Sequence, residues 1–253
     1  MGKYNSYDRV ADLYDHYVRT DYDLEFWSQE CRGVDEVLEV TAGTGRVSLP
    51  LARAGKRVTA VDISHGLLNH LREKAAAEGI TVETVHADMR DFKLGRSFPL
   101  AIIAFQSLEE LSDPVDVVAA LGRVRAHLTT GGRLIVTLHH PSSHIGGDVS
   151  YPRLMADEIL PNGNRLLFWF ARKFDPVTHT GMSYQIYEEY DVDGDMHRKR
   201  IFTPRYHIFT RKEFENLAGR AGLRITQAWG GYGHEPYSEE AKYMIFELKD
   251  KEE

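Results

Sequence analysis

Val37-Leu38-Glu39-Val40-Thr41-Ala42-Gly43-Thr44-Gly45-Arg46 is the stretch on which the fold turns. Residues 34–40 form a short apolar run that reads as a β-strand, and residues 49–54, closed by Gly55, read as a helix. Between them, Gly43 and Gly45 permit a tight turn and let a ligand approach the backbone closely. The helix that follows offers unpaired amides and the positive end of its dipole. In open α/β sheets, ligands bind beyond the carboxyl ends of the strands, where this turn lies.

The pattern repeats outward. Residues 57–61 form a second strand ending at Asp62, and Ser64 supplies an N-cap for a helix that runs to Gly79, a suitable C′ residue. Residues 81–85 and 100–105 are a third and a fourth strand. Asp113-Pro114 opens a helix predicted to reach about Leu128, and Gly131-Gly132 lead into a fifth strand over 133–138. Alternation of strand and helix from 34 to 138 specifies a parallel sheet with helices on both faces. The uninterrupted apolar strands agree, because such strands are buried on both sides.

Upstream, residues 1–33 are expected to form a helical cover, with Val10, Leu13, Tyr14 and Tyr17 at helical spacing. Downstream the pattern changes. Strands are predicted at 166–174, 182–190 and 196–202, the last two joined by a turn at Asp193-Gly194, and residues 139–209 read as an antiparallel insertion. The strand–helix signal resumes at Thr210-Arg211-Lys212-Glu213, a capping box whose helix ends at Ala221-Gly222, and two final strands follow at 223–229 and 242–248. The predicted class is α/β: one domain over residues 1–253, its core at 34–138 and 210–253, elaborated by the insertion.

Two further signals accompany the glycine turn. Asp62 lies 19 residues after Gly43 at the end of the second strand, where a carboxylate can bond ribose hydroxyls. Asp88-Met89 follows the third strand, and a carboxylate beside a thioether suits an adenine amine and ring face. Each alone is compatible with a cap or an ordinary turn; their joint order is more specific. In these residues the chain resembles the class I S-adenosylmethionine-dependent methyltransferases over about residues 34–138 and 210–248. The resemblance implies a Rossmann-like, seven-stranded, doubly wound sheet whose last strand is reversed, and S-adenosyl-L-methionine as cofactor with S-adenosyl-L-homocysteine as product. It assigns cofactor contacts to Glu39, Thr41, Ala42, Gly43, Gly45, Arg46, Asp62, Ile63, Asp88 and Met89, and places Phe105 and Gln106 in the loop facing the transferred methyl. One departure is Thr41, which stands at the family's first glycine position. The nearest competitor is an NAD-dependent oxidoreductase, whose fingerprint needs a third glycine where this chain has Ser48, with Pro50 close behind. A nucleoside-cofactor-binding protein without catalysis is a third reading, prompted by Thr41.

Methyl transfer to nitrogen or oxygen needs a positioned acceptor and, for a protonated nucleophile, a base. Tyr14, His139 and Glu110 are the chosen candidates; Glu109, His140, Tyr206 and His207 are the alternatives. Only one of His139 and His140 should face a cleft, because strand neighbours point to opposite sides. Aromatic residues of the insertion (Phe168, Trp169, Phe170, Tyr184, Tyr187, Tyr190, Phe202 and Tyr206) either line an acceptor pocket or form a sheet core or homodimer contact.

Composition narrows the partners. The formal net charge of −7 argues against a nucleic-acid partner, and a small-molecule acceptor is expected. Cys31 is the single cysteine, so no internal disulfide can form, and the histidines lack zinc spacing, so no metal is expected. With no signal-peptide pattern and no long apolar run, a cytoplasmic location and no membrane partner are the expectation.

Overall fold

The computed structural model describes residues 6–144 and 149–252. Residues 1–5 of the expected cover, 145–148 of the expected insertion, and 253 lie outside the described residues. A seven-stranded sheet forms the core, in the order β11-β12-β5-β4-β1-β2-β3. The first strands are β1 (Glu36–Val40), β2 (Arg57–Asp62), β3 (Glu83–His86), β4 (Phe98–Ile103) and β5 (Leu128–His139). They pair in parallel, with Val37 opposite both Val58 and Leu100. The final strands are β11 (Leu223–Trp229) and β12 (Tyr243–Asp250); β12 runs antiparallel to both β11 and β5.

Both faces of this sheet are apolar, which explains why its strands read as unbroken runs. Val37, Leu100, Ile102, Ile135 and Ile245 pack on one side against Phe26 and Trp27 of α2 (Leu24–Glu30) and Leu51 of α3 (Ser48–Arg53). Their neighbours Leu38, Val40, Ala101, Ile103, Val136 and Phe246 pack on the other, against α5 (Pro114–Arg125) and α6 (Arg211–Arg220). The remaining long helix, α4 (His65–Ala77), begins where Ser64 accepts from the Leu67 amide. The capping box at Thr210 is formed in full, with Glu213 closing it.

Two expectations change. The helix from Asp113 stops at Arg125 rather than near Leu128, because Phe98 N donates to His127 O and Leu128 then pairs with Phe98 as the start of β5. The N-terminal segment forms short helical pieces. It is two 3₁₀ turns (Tyr7–Arg9 and Ala11–Leu13), then α1 (Tyr14–Tyr17), because Val10 leaves the helical region at φ −132°. The antiparallel sheet contains two strands beyond those expected, β6 (Val149–Ile159) and β10 (Arg205–His207), besides β7 (Arg165–Asp175), β8 (Thr180–Tyr190) and β9 (Met196–Phe202). Its inner face meets the N-terminal segment through Leu166, Phe168, Tyr187 and Phe202 against Val10 and Leu13. That contact sets the second sheet as a roof over the carboxyl ends of the first. Among the described residues, no helix is long and apolar enough to cross a membrane.

Candidate active site

Two adjoining cavities lie at the carboxyl ends of β1, β2 and β4, sharing Thr41, Asp62, Ile63, Met89 and Glu110. The smaller is a slot between the β2 and β3 ends, lined also by Asp88 and Arg90. The larger, of about 300 Å³, is floored by Gly43, Phe105 and Gln106, walled by Tyr14, Tyr17 and His139, and roofed by the second sheet.

The turn after β1 is held by Asp62. Its Oδ2 accepts from Gly43 N and its Oδ1 from Ser64 N, both at 2.8 Å, so one carboxylate ties the glycine turn to the start of α4. Burial raises the Asp62 carboxyl above its ordinary value, against the two amides that favour its charge. Thr41 adopts φ +66°, a left-handed conformation costly for a β-branched residue, and its hydroxyl donates to Val40 O. Gly45 (φ +86°) is required by packing as well as by the turn, since a Cβ there would lie 2.8 Å from Leu71 Cγ.

Four expected cofactor contacts do not line either cavity: Glu39, Ala42, Gly45 and Arg46. They support the loop from behind. Glu39 is buried and accepts from Ser48 Oγ at the start of α3; burial pushes its carboxyl up to about 7. Ala42 packs with Leu68 and Leu71 of α4. The Arg46 guanidinium pairs with buried Asp23, Nη2 to Oδ2 at 2.7 Å, and lies 4.6 Å over the Phe105 ring. Asp88 lines the slot, but its carboxylate also accepts from Arg90 N and Nε, at 2.9 and 2.8 Å.

The fourth strand ends in two successive left-handed residues, Phe105 (φ +54°) and Gln106 (φ +59°), and a 3₁₀ turn, Ser107–Glu110. Such strain in non-glycine residues persists only where the surroundings hold it, here the Arg46 guanidinium over Phe105 and the bond from Gln106 Nε2 to Tyr232 OH at 3.0 Å. The turn delivers two carboxylates. Glu109 is buried and accepts from His139 N at 2.5 Å, with His139 Nδ1 2.8 Å from its other oxygen. Glu110 borders both cavities and accepts from Tyr7 OH at 2.5 Å. His140 points away, as strand alternation requires, with Ser142 Oγ 2.7 Å from its Nδ1. His207 likewise stays outside the cavity, its Nε2 2.8 Å from Glu213.

Tyr14 lies over Gly43, where an added Cβ would be 3.9 Å from its Cε1. Burial, reinforced by the carboxylates of Glu110 and Asp62, drives its phenol far above the ordinary range. Tyr7 is held protonated in the same way, by burial first and by Glu110 second. Tyr7, Arg172, Ser183 and Gln185 border the cavity without having been singled out from the sequence, as does Tyr17, noted there only for its helical spacing. Of the aromatics in the insertion, Phe170 and Tyr206 border it, whereas Phe168, Tyr187 and Phe202 form the packing core beneath. Among the described residues, no group of three or more His, Cys, Asp and Glu could hold a metal ion.

A family model described as a methyltransferase domain matches residues 37–132. Over 200 residues the chain is 30% identical to the demethylmenaquinone methyltransferase of Tropheryma whipplei (strain Twist), covering 74% of this chain and 77% of that one. The chain belongs to the class I S-adenosylmethionine-dependent methyltransferases. This methyltransferase is also 28% identical over 256 residues to the cypemycin N-terminal methyltransferase of a Streptomyces species, with 96% of this chain and 97% of that one covered. Its fold matches the CcbJ methyltransferase of Streptomyces caelestis, with a TM-score of 0.81, 23% identity and 99% of each chain covered.

The residues present fit S-adenosylmethionine. Each oxygen of Asp62 spends one lone pair on a backbone amide, and the residue borders both cavities, which leaves acceptor capacity for ribose hydroxyls. Ile63, large, apolar and 44% exposed, lines the adjoining slot with Met89, surfaces suited to the faces of a flat base.

Proposed function

We propose that this methyltransferase acts on an amine nitrogen of a small acceptor held between the turn after β4 and the second sheet. The Glu109–His139 pair carries the reading. When bound, the cofactor supplies a methyl group on sulfonium sulfur, an electrophile that needs no activation by the protein. What the chain must provide is a neutral, aligned nucleophile. With Nδ1 committed to Glu109, proton transfer toward the cavity runs through His139 Nε2, which takes a proton from the acceptor's ammonium. The neutral nitrogen would then be free to take the methyl group that bound S-adenosylmethionine would supply, leaving S-adenosylhomocysteine. Glu109 is a positioning residue: it fixes the ring's orientation and tautomer. Glu110, beside the protonated phenols of Tyr7 and Tyr14, gives the wall the negative character that attracts an amine. The cypemycin relative's name, an N-terminal methyltransferase, agrees with a nitrogen acceptor.

The N-terminal segment then acts as the cover and the second sheet as the acceptor-side roof. The homodimer expectation rests with the same sheet, whose outer strands expose Leu154, Met155, Ile159, Met196 and Ile201, and sedimentation velocity reads it directly. The acceptor class is tested by methyl transfer from S-adenosylmethionine to matched panels of amines and alcohols, with products read by mass spectrometry. Transfer to amines that fails in His139→Ala is expected; transfer confined to alcohols refutes the nitrogen assignment. Calorimetric binding of S-adenosylhomocysteine, but not NAD, is the accompanying check on the cofactor.

A further inference from the structure

The roof of the larger cavity holds hydrogen-bonding groups that the methyl-transfer chemistry does not use. On β8, Ser183 and Gln185 are only 6% and 5% exposed, yet both border the cavity. Residues two apart on a strand share a face about 7 Å apart. Gln185 Oε1 accepts from Tyr187 OH at 2.8 Å, which engages the amide's acceptor and leaves its NH₂ group as the unspent donor. Among the described residues, neither the Gln185 NH₂ nor the Ser183 hydroxyl has a hydrogen-bond partner. Both residues line the cavity, so these unspent groups are open to whatever fills it.

Their surroundings say which kind. Arg172 on β7 stands directly opposite Ser183 in the ladder, and Phe170 opposite Gln185. Directly opposed residues share a face about 5 Å apart, so the guanidinium-bearing side chain belongs to the same patch. Arg172 also borders the cavity. Side by side, therefore, are an amide NH₂, a hydroxyl and a guanidinium, with the amide's own acceptor already engaged. A guanidinium beside neutral donors is the arrangement that recognises anionic oxygens. The opposite wall is acidic, with Glu109, Glu110 and Asp62, so the cavity is electrically polarised from floor to roof.

We propose that Arg172, Ser183 and Gln185 form a subsite for an anionic oxygen group of the acceptor, a carboxylate or a phosphate, so that the substrate is an amine carrying a negative charge at its far end. The proposal rests on the amine reading above for the identity of the near end only. The floor holds the amine; the roof holds the anion; and the polarity of the cavity sets which end meets the methyl group. An inverted substrate would bring its anion against Glu110 and its ammonium against Arg172.

Calorimetry on the full chain saturated with S-adenosylhomocysteine tests this with three probes that share one amine: ethanolamine, β-alanine and O-phosphoethanolamine. At least one anionic probe should bind about 10-fold or more tightly than ethanolamine, as expected for a charge-assisted hydrogen bond, and the better of the two identifies the group. Gln185→Leu and Arg172→Ala should each erase most of that preference, while S-adenosylhomocysteine affinity stays unchanged and reports a folded site. Ser183→Ala, the mildest change, should reduce it in the same direction. Equal binding of all three probes, no binding of any, or a preference that survives the substitutions overturns the proposal. Methyl transfer to the same probes separates the two readings. Transfer to ethanolamine without an anion preference upholds the amine reading and sinks the subsite. Anion preference without transfer to any amine upholds the subsite and counts against the amine reading.

Discussion

Glu109→Gln is the substitution that most directly tests the proposed chemistry. The carboxylate is 2% exposed and serves two groups of one residue, His139 N at 2.5 Å and Nδ1 at 2.8 Å. Truncation to alanine would strand a buried amide at a cost of about 1–3 kcal/mol and confuse folding with function. Glutamine keeps the volume and one oxygen, which can still accept from His139 N. Its NH₂ then faces Nδ1, which must become the acceptor, and the ring proton is forced onto Nε2. A histidine in that tautomer cannot take a proton from the acceptor. General-base loss of this kind is worth about 10²–10⁴ in rate, and the lower end is expected here because solvent can deprotonate an amine. The assay is steady-state methyl transfer across pH, with S-adenosylhomocysteine titrated in parallel. At neutral pH, kcat should fall about 100-fold with cofactor affinity within about 2-fold, and the deficit should shrink in alkaline buffer. His139→Ala combined with Glu109→Gln should be no worse than His139→Ala alone, because the two residues act as a unit. Full activity in Glu109→Gln, or additive losses in the double variant, would refute the reasoning.

Other consequences follow from the cofactor turn and its support. Asp62→Ala removes the ties to Gly43 and Ser64 together with the ribose acceptor, and calorimetry should show S-adenosylhomocysteine binding weakened by about 30-fold or more; near-native affinity would remove Asp62 from the cofactor site. Gly45→Ala places a methyl group 2.8 Å from Leu71 Cγ at φ +86°, so urea unfolding should show a loss of about 2–4 kcal/mol, and an unchanged midpoint would contradict the packing. Glu39 is pushed up to about 7 by burial, so the native state binds a proton that the unfolded chain releases near its ordinary 4.5. Stability from this group is therefore fully present below that value and falls by about 3 kcal/mol as pH rises through 7, and Glu39→Gln should flatten that part of the stability–pH curve.

The core was readable because it obeys one rule: strands buried on both faces are continuous apolar runs, and each ends in a residue with a task, Thr41, Asp62 or Phe105. The second sheet was half readable. Residues of β7, β8 and β9 showed themselves, but β6 did not, because it is an edge strand whose Tyr151, Leu154 and Met155 are exposed and whose Pro152 reads as a breaker. The N-terminal segment was legible as short helices, and its division into 3₁₀ turns has a tertiary cause. Asp8 accepts from Ser64 Oγ at 2.7 Å and from Gly66 N at 2.8 Å, ties that lie in another part of the sequence and override the helical spacing. Glu39 and Arg46 carried the right chemistry into the wrong layer: both sit in the cofactor motif, but Ser48 and Asp23 hold them behind it. The roof donors did leave a signal. In Ser183-Tyr184-Gln185-Ile186-Tyr187 the polar residues alternate into the buried face, the reverse of an ordinary half-exposed strand.

That reversed alternation also explains why the N-terminal segment is built as it is. The segment touches each part of the site: Asp8 at the start of α4, Asp15 on Thr44 of the glycine turn at 2.5 Å, Tyr7 on Glu110, and Asp12 on Arg200 of the second sheet at 2.5 and 2.7 Å. A roof that exposed only apolar residues could have closed directly on the first sheet. Here the apolar contact of the second sheet is made instead with Val10 and Leu13 of the N-terminal segment. The polar ties at the segment's surface are individually worth about 0–1 kcal/mol. Together they join the glycine turn, the turn after β4 and the second sheet to one short stretch of chain.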